Sequence, residues 1–318
     1  MGKQYQTESL QSSHHYDQEQ TARSAPLLEG SSKADKIGIG LALLALYLIW
    51  GSTYLVMRVA LQSFPPYIMG GLRFLCAGVI LYVILRLRGS PAPTRKEWLG
   101  SALIGILMLV GSNGSVSIAE QWVSSGISAV ALAAVPLWTA FFVGLFGRWP
   151  SRQEWVGLVL GFAGVILLNL EHGMWTNPFG AALLILAPVS WSLGSALSPR
   201  FSLPAGLMSS AAQMLAGGAA MLLLGLLMGQ RMHSFPTVQA LGAMAYLVLF
   251  GSLLAYSAYT YLLKRVRTSL ATSYAYVNPV VAVALGVGMA GEHITLIGIL
   301  AMLVILTGVG LVSLRRKS

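Results

Sequence analysis

Trp50, Ser52, Tyr54 and Arg58 place two aromatic faces, a hydroxyl and a cation inside an apolar run from Ile37 to Leu61. Hydrocarbon supplies no water, so polar groups in such a run need internal partners. This patch should therefore face a bundle interior or a watered cavity. Trp50, Tyr54 and Arg58 fall at i, i+4 and i+8, a spacing that predicts one helical stripe. Such a stripe would offer aromatic surfaces to an organic solute and a cation to a carboxylate. The structural alternative is packing and interfacial anchoring, with Arg58 snorkelling to the headgroups. Ser52 and Thr53 argue for the cavity, because anchors do not need their polarity.

Arg73 lies several residues inside the next apolar run, where a charge costs at least about 2.5 to 3.5 kcal/mol unless paired or wetted. It reads either as held by a structural partner, a helix carbonyl or Glu120, or as a binding group for an anionic or zwitterionic solute. Glu120 reads as an ordinary outer-loop charge or as a proton-coupling carboxyl, since burial disfavours its charged form. Pro136 and Pro279 each lack an N–H and would free a carbonyl one turn back, which marks hinges, sites or tolerated kinks. Trp138, Tyr276 and Asn278 flank those prolines, and a buried Asn278 amide would need partners. Asn113, Tyr256 and Tyr259 would complete a polar lining. Gly157 and Gly161 form a small-xxx-small pair suited to close helix packing.

Other chemistries have no residues to carry them. There is no Walker loop for ATP drive, and no His pair at i, i+4 or carboxylate cluster for a metal, so no cofactor is expected. His14-His15 sit in a polar segment, and His172, His233 and His293 are scattered among loops. Cys76 is the single cysteine, which excludes an intrachain disulfide.

The elements that must position these residues are transmembrane helices. The 318 residues are 56% hydrophobic and 9% charged, whereas a soluble domain carries about 25% charged residues. Mean hydropathy is +0.71. The net charge of +10 falls mostly at helix ends, which points to topology and phospholipid contact rather than nucleic acid. Residues 1–36 are polar and read as a disordered tail. Apolar segments then predict ten spans near 38–60, 66–86, 98–118, 125–147, 153–170, 178–197, 204–228, 237–262, 268–289 and 294–314. Pro65-Pro66, Gly89-Ser90-Pro91, Trp149-Pro150, Asn177-Pro178, Ser198-Pro199 and Phe235-Pro236 mark joins. Basic residues at 86, 88, 95, 96, 148, 152, 200, 264, 265, 267 and 315–317 predict the cytoplasmic side and place both termini there.

The halves look like copies. Trp50 has a counterpart in Trp191, and the segment 125–129 leading to Pro136 resembles 268–272 leading to Pro279. Ala163-Gly164-Val165 recurs as Thr307-Gly308-Val309, and Arg73 before Ala77-Gly78 aligns with Gln213 before Gly217-Gly218. Five spans per copy is odd, so the second copy should be inverted. The charges agree: Glu120-Gln121 lies outside where the aligned Leu263-Lys264-Arg265 lies inside. Inverted repeats are a construction of secondary transporters, with a solute site near the midplane between the copies.

Leu48-Ile49-Trp50-Gly51-Ser52-Thr53-Tyr54, Arg58-Val59-Ala60 and Phe64-Pro65-Pro66 together resemble the opening of EamA-type transporters of the drug/metabolite transporter superfamily. Gly71-Leu72-Arg73-Phe74, Ala119-Glu120-Gln121 and Val135-Pro136-Leu137-Trp138 continue the match. Tyr276-Val277-Asn278-Pro279-Val280 with Gly291-Glu292 fits a second repeat. The resemblance covers roughly residues 37–314. It implies an all-α integral membrane protein of ten transmembrane helices in two inverted five-helix repeats, 37–172 and 173–314, between the tail 1–36 and a basic end, 315–318. It further implies a central cavity, alternating access, and export of small metabolites or toxic compounds from a bacterial cytoplasm. Two departures are the long tail and Trp149, where many members carry an acidic residue after the fourth span.

The expected protein is thus a non-enzymatic secondary active exporter in a bacterial inner membrane, proton-coupled or working by exchange. Its partners would be a small-molecule substrate and the lipid bilayer, with no nucleic acid and with homodimerisation open. The expected lining is Trp50, Ser52, Tyr54, Arg58, Arg73, Asn113, Trp138, Trp191, Tyr256 and Asn278, with Glu120 for coupling and Pro136 and Pro279 as hinges. Import of the same solutes, a passive channel and a lipid-acting membrane enzyme are the alternatives.

Overall fold

The computed structural model describes residues 33–122, 125–147, 149–169, 178–232, 234–281 and 296–313. The tail as far as residue 32, the outer-loop residues Glu171, His172, Glu292 and His293, His233 and the basic end 315–318 lie outside them. The chain divides into a short amino-terminal unit, Met1–Gly40, and a main body, Leu41–Ser318. Every relationship below lies within the main body.

The described residues contain helices and no strands. Six helices are long and apolar enough to cross a membrane: α1 (Asp35–Ala60), α2 (Pro66–Leu87), α3 (Arg95–Ala119), α7 (Pro178–Arg200), α8 (Met208–Leu227) and α9 (Val238–Arg265). The expected fourth span is two helices, α4 (Ser125–Leu132) and α5 (Val135–Leu145), separated by Ala133-Ala134. The fifth is α6 (Arg152–Asn169) and the tenth is α11 (Leu296–Ser313). The ninth begins with α10 (Thr268–Ala271), breaks at Thr272-Ser273 and resumes as helix over 274–281.

Local chemistry sets the helix starts. Pro66 occupies the first turn of α2, where a missing N–H costs nothing. Thr94 and Glu97 form a capping box ahead of α3: the Thr94 amide donates to the Glu97 carboxylate at 2.7 Å, and the Glu97 amide donates to Thr94 Oγ1 at 3.4 Å. Ser151 and Glu154 repeat that exchange at α6. Outward faces remain apolar. In α1, Leu41, Leu44, Leu48 and Leu55 are all exposed at a spacing of three, four and seven, a stripe that suits lipid contact.

Counterpart helices pack against each other. α2 lies on α8, and α6 lies on α11. A Cβ on Gly78 would meet the Leu215 amide nitrogen at 2.9 Å, and one on Gly218 would meet the Leu75 amide nitrogen at 2.8 Å. A shift of 140 positions turns Gly78 into Gly218 and Leu75 into Leu215, so the two contacts are one contact seen from either side. α6 and α11 repeat the relation: a Cβ on Gly164 would lie 3.0 Å from the Ile305 nitrogen, and one on Gly308 would lie 2.6 Å from the Gly161 nitrogen. Here a shift of 144 exchanges the partners. Reciprocal pairs of this kind are what a two-fold relation between copies produces. In both interfaces the paired numbers rise on one helix as they fall on the other, so counterpart helices run antiparallel. Missing side chains let the backbones approach closely, as in membrane bundles generally. Gly161, read as a packing residue, is one of them.

Candidate functional site

Three helices contain a π-helical stretch: Leu46–Trp50 in α1, Ile106–Gly114 in α3 and Leu247–Leu254 in α9. The shift of 140 that relates α2 to α8 also carries the α3 stretch onto the α9 stretch, within a residue. All three reach one buried cavity. Trp50 ends the first stretch, Ser112 and Asn113 belong to the second, and Gly251 to the third. π-turns interrupt the regular hydrogen-bond ladder and recur at functional sites.

The cavity measures about 40 Å³. That is room for water, well short of the roughly 300–1,000 Å³ of sites that hold organic ligands. α1 lines it with Trp50, Thr53, Tyr54 and Met57, and α2 with Arg73 and Phe74. Asn113 and Val116 come from α3, Leu132 and Val135 from the broken fourth segment, and Trp191, Tyr256 and Tyr274 from the second half. Both halves of the chain therefore meet at its wall.

Trp50 is the centre of an aromatic cluster. Its ring meets Trp191 edge-on, and Tyr274 likewise with centroids 4.6 Å apart. Its indole N–H donates to the Gly251 carbonyl at 3.0 Å, which ties α1 to the π-stretch of α9. The Trp191 indole N–H donates to the Tyr259 hydroxyl at 3.2 Å, and that hydroxyl also bonds Ser195 Oγ at 2.7 Å. The Tyr256 hydroxyl donates to Gln213 Oε1 at 2.7 Å. The cluster is thus cross-linked by its polar tips while its faces stay apolar.

Arg73 is 3% exposed. Its Nε donates to Ser252 Oγ at 2.9 Å, Nη1 donates to Met57 Sδ at 3.4 Å, and the guanidinium lies 4.4 Å from the Phe74 ring centroid. Neither a helix carbonyl nor Glu120 holds it, although Glu120 lies near enough to interact electrostatically with Arg73 and Arg58.

Glu120 is not a loop charge. It is 6% exposed, and neither carboxyl oxygen has a hydrogen-bond partner. Asn278 is likewise buried, its amide making no well-formed hydrogen bond, with Tyr54 as a neighbour. Both lie outside the cavity wall itself.

Of the expected residues, Trp50, Tyr54, Arg73, Asn113, Trp191 and Tyr256 come together at the cavity, and Ser52, Arg58 and Trp138 do not. Ser52 bonds Tyr246 of α9 at 2.7 Å, away from the wall. Arg58 is exposed, because eight residues at 3.6 per turn leave it about 80° round the helix from Trp50. Trp138 is exposed and stacks on Phe142 of its own helix. Pro136 occupies the first turn of α5, where its missing N–H interrupts nothing, and the break precedes it. Pro279 lies inside the helical stretch 274–281, several residues after the break at Thr272-Ser273. Met57 and Tyr274 of the wall were missed, and Thr53, read only as adding polarity beside Ser52, is itself a wall residue. Thr53 and Met57 stand at i+3 and i+7 from Trp50, the true continuation of its stripe.

Among the described residues, an all-helical structure with several membrane-length helices, a lipid-suited exterior and a polar-aromatic cavity between its halves defines a multi-pass membrane protein. The chain belongs to the EamA-like transporter family, whose model matches residues 36–170 and again 178–314. It is 47% identical over 274 residues to the "Uncharacterized inner membrane transporter YedA" of Escherichia coli strain K12, covering 86% of this chain and 90% of that one. It is 26% identical over 286 residues to the "Uncharacterized transporter YoaV" of Bacillus subtilis strain 168, covering 86% and 96%. A solved structure described as "Crystal structure of protein" shares the fold, with a TM-score of 0.72 and 20% identity over 86% of this chain and 97% of its own.

Proposed function

We propose that the protein is a secondary active transporter of a bacterial inner membrane that exports a small organic solute by alternating access. The observation that carries this reading is the cavity itself, closed to about 40 Å³ and walled by Trp50 and Trp191 from the two family-matched segments. A site this tight must open to admit a solute, and the wall between two packed copies is where rocking would open it. Antiparallel packing of α2 on α8 and of α6 on α11 supports two inverted repeats about that cavity. The basic loop residues support a cytoplasmic location for both termini. The inner-membrane location rests on the name of the Escherichia coli relative.

Glu120 is the proposed coupling group. It is a buried carboxyl whose oxygens have no hydrogen-bond partner among the described residues, and Arg58 and Arg73 are near enough to interact with its charge, so gaining or losing a proton there changes the charge balance beside the cavity. Flux into proteoliposomes with and without an imposed pH gradient tests the proposal. Gradient-driven, saturable accumulation supports it, and flux that only equalises concentrations, at a rate that does not saturate, points to a pore instead.

A further inference from the structure

We propose that the cavity takes a small organic monoanion, a carboxylate on an aromatic or branched apolar body, with Arg73 as the group that reads the carboxylate. The proposal rests on the transporter reading above and narrows its substrate. Among the described residues, Arg73 is the one charged side chain in the cavity wall. A guanidinium has five N–H donors. Arg73 commits one to the Ser252 hydroxyl and one to the Met57 thioether, a weak acceptor. Nη2 has no acceptor among the described residues, and it lies beside Gly251, where a Cβ would approach it to 3.7 Å. No carboxylate of the described residues reaches Arg73 as an ion pair. The Phe74 ring beside the guanidinium and the hydrogen bonds to Ser252 and Met57 anchor the group at the wall. A buried cation with idle donors is costly, and an anion bound against them relieves the cost with charge-assisted hydrogen bonds.

The rest of the wall says what the anion is attached to. The faces of Trp50, Trp191, Tyr54 and Tyr274 supply apolar surface, and the Tyr256 hydroxyl is already taken by Gln213. A zwitterion or an amine would bring an ammonium to a wall that holds no carboxylate among the described residues. The Thr53 hydroxyl donates to the Trp50 carbonyl at 2.7 Å, and the Ser112 and Asn113 side chains offer an ammonium neutral acceptors but no counter-charge. The wall therefore favours a monoanion over an amino acid of the same shape.

The test is equilibrium binding of radiolabelled 3-phenylpropanoate to the purified full-length protein in detergent. Competitors are phenylalanine, 3-phenylpropanamide, 3-phenylpropylamine and 4-methylpentanoate. The expected result is binding of both carboxylates roughly tenfold or more tighter than the zwitterion, amide or amine. Arg73→Gln should remove that preference and Arg73→Lys should keep part of it, with thermal unfolding showing that each variant is folded. Equal or tighter binding of the amine, amide or amino acid, an unchanged ranking in Arg73→Gln, or no binding of either carboxylate overturns the proposal. Flux separates the two readings. If proteoliposomes carry the amine or amide and Trp50→Ala stops it, transport through this cavity stands and the anion assignment falls. If 3-phenylpropanoate binds but crosses under no gradient, the ligand class stands and transport falls.

Discussion

The rings of Trp50 and Trp191 meet edge to face, with centroids 5.4 Å apart and planes at 83°. One indole comes from the first family-matched segment and the other from the second, so this contact is a seam between the two segments at the cavity wall. Trp50 also donates to the Gly251 carbonyl, and any opening of the seam has to carry that hydrogen bond along or break it.

Trp50→Phe keeps a ring at the seam and loses the N–H. A hydrogen bond of this kind is worth about 0.5 to 1.5 kcal/mol net, so flux should fall roughly twofold to tenfold. Trp50→Ala should fall further, since it also removes the ring contacts with Trp191 and Tyr274. Initial rates in proteoliposomes carrying equal amounts of protein check both, and a Phe variant as impaired as Ala would mean that the N–H, not the ring, is what matters.

Gly78→Leu should destabilise the protein by about 1 to 3 kcal/mol, because its side chain would run into the Leu215 backbone on α8. Gly242→Ala is the control. Nothing lies within 4 Å of a Cβ there, and replacing a helical glycine should leave stability unchanged or raise it by up to about 1 kcal/mol. Unfolding midpoints in detergent should separate the two, and equal midpoints would contradict the close α2–α8 contact.

Tyr256→Phe strands Gln213 Oε1 in a buried site, at a cost of about 1 to 3 kcal/mol. Combining it with Gln213→Leu should recover part of that loss, since the stranded amide oxygen is removed, and the recovery is partial because Ser209 Oγ then loses the Gln213 Nε2 donor. Strictly additive losses in the double-mutant cycle would show that the two side chains do not depend on each other.

Glu120→Gln removes the proposed proton-coupling site. Flux through the wild-type protein should rise when an opposing proton gradient is imposed, and flux through the variant should ignore the gradient while still saturating with solute. Equal gradient dependence in both would move coupling away from Glu120.

The sequence made some of these residues legible and hid others for identifiable reasons. Polar and aromatic residues inside apolar runs announce themselves, and Trp50, Tyr54, Arg73 and Trp191, picked out that way, stand in the cavity wall. Recognising the second copy through Gly78/Gly218 and Gly164/Gly308 also worked, since glycines placed for close packing leave a pattern in both copies. Arg58 lies off the cavity wall because a spacing of eight drifts off the stripe, and Trp138 because an aromatic beside a helix break can as well face outward. The π-helical stretches left no local signature. They show only when α1, α3 and α9 are packed together, and they decide that Gly251 and Ser252, unremarkable in sequence, sit against Trp50 and Arg73. Glu120 looked like a loop residue since it follows the last residue of α3, and only the tertiary fold buries it.

The central claim is that solute passes through the cavity between Trp50 and Trp191. Metabolite profiling of medium from cells lacking the protein, overproducing it, or overproducing Trp50→Ala at equal membrane abundance tests this most directly. At least one small organic compound should rise in the medium with the wild-type protein and return to the level of the deletion strain with Trp50→Ala. A compound exported equally well by both proteins would contradict it.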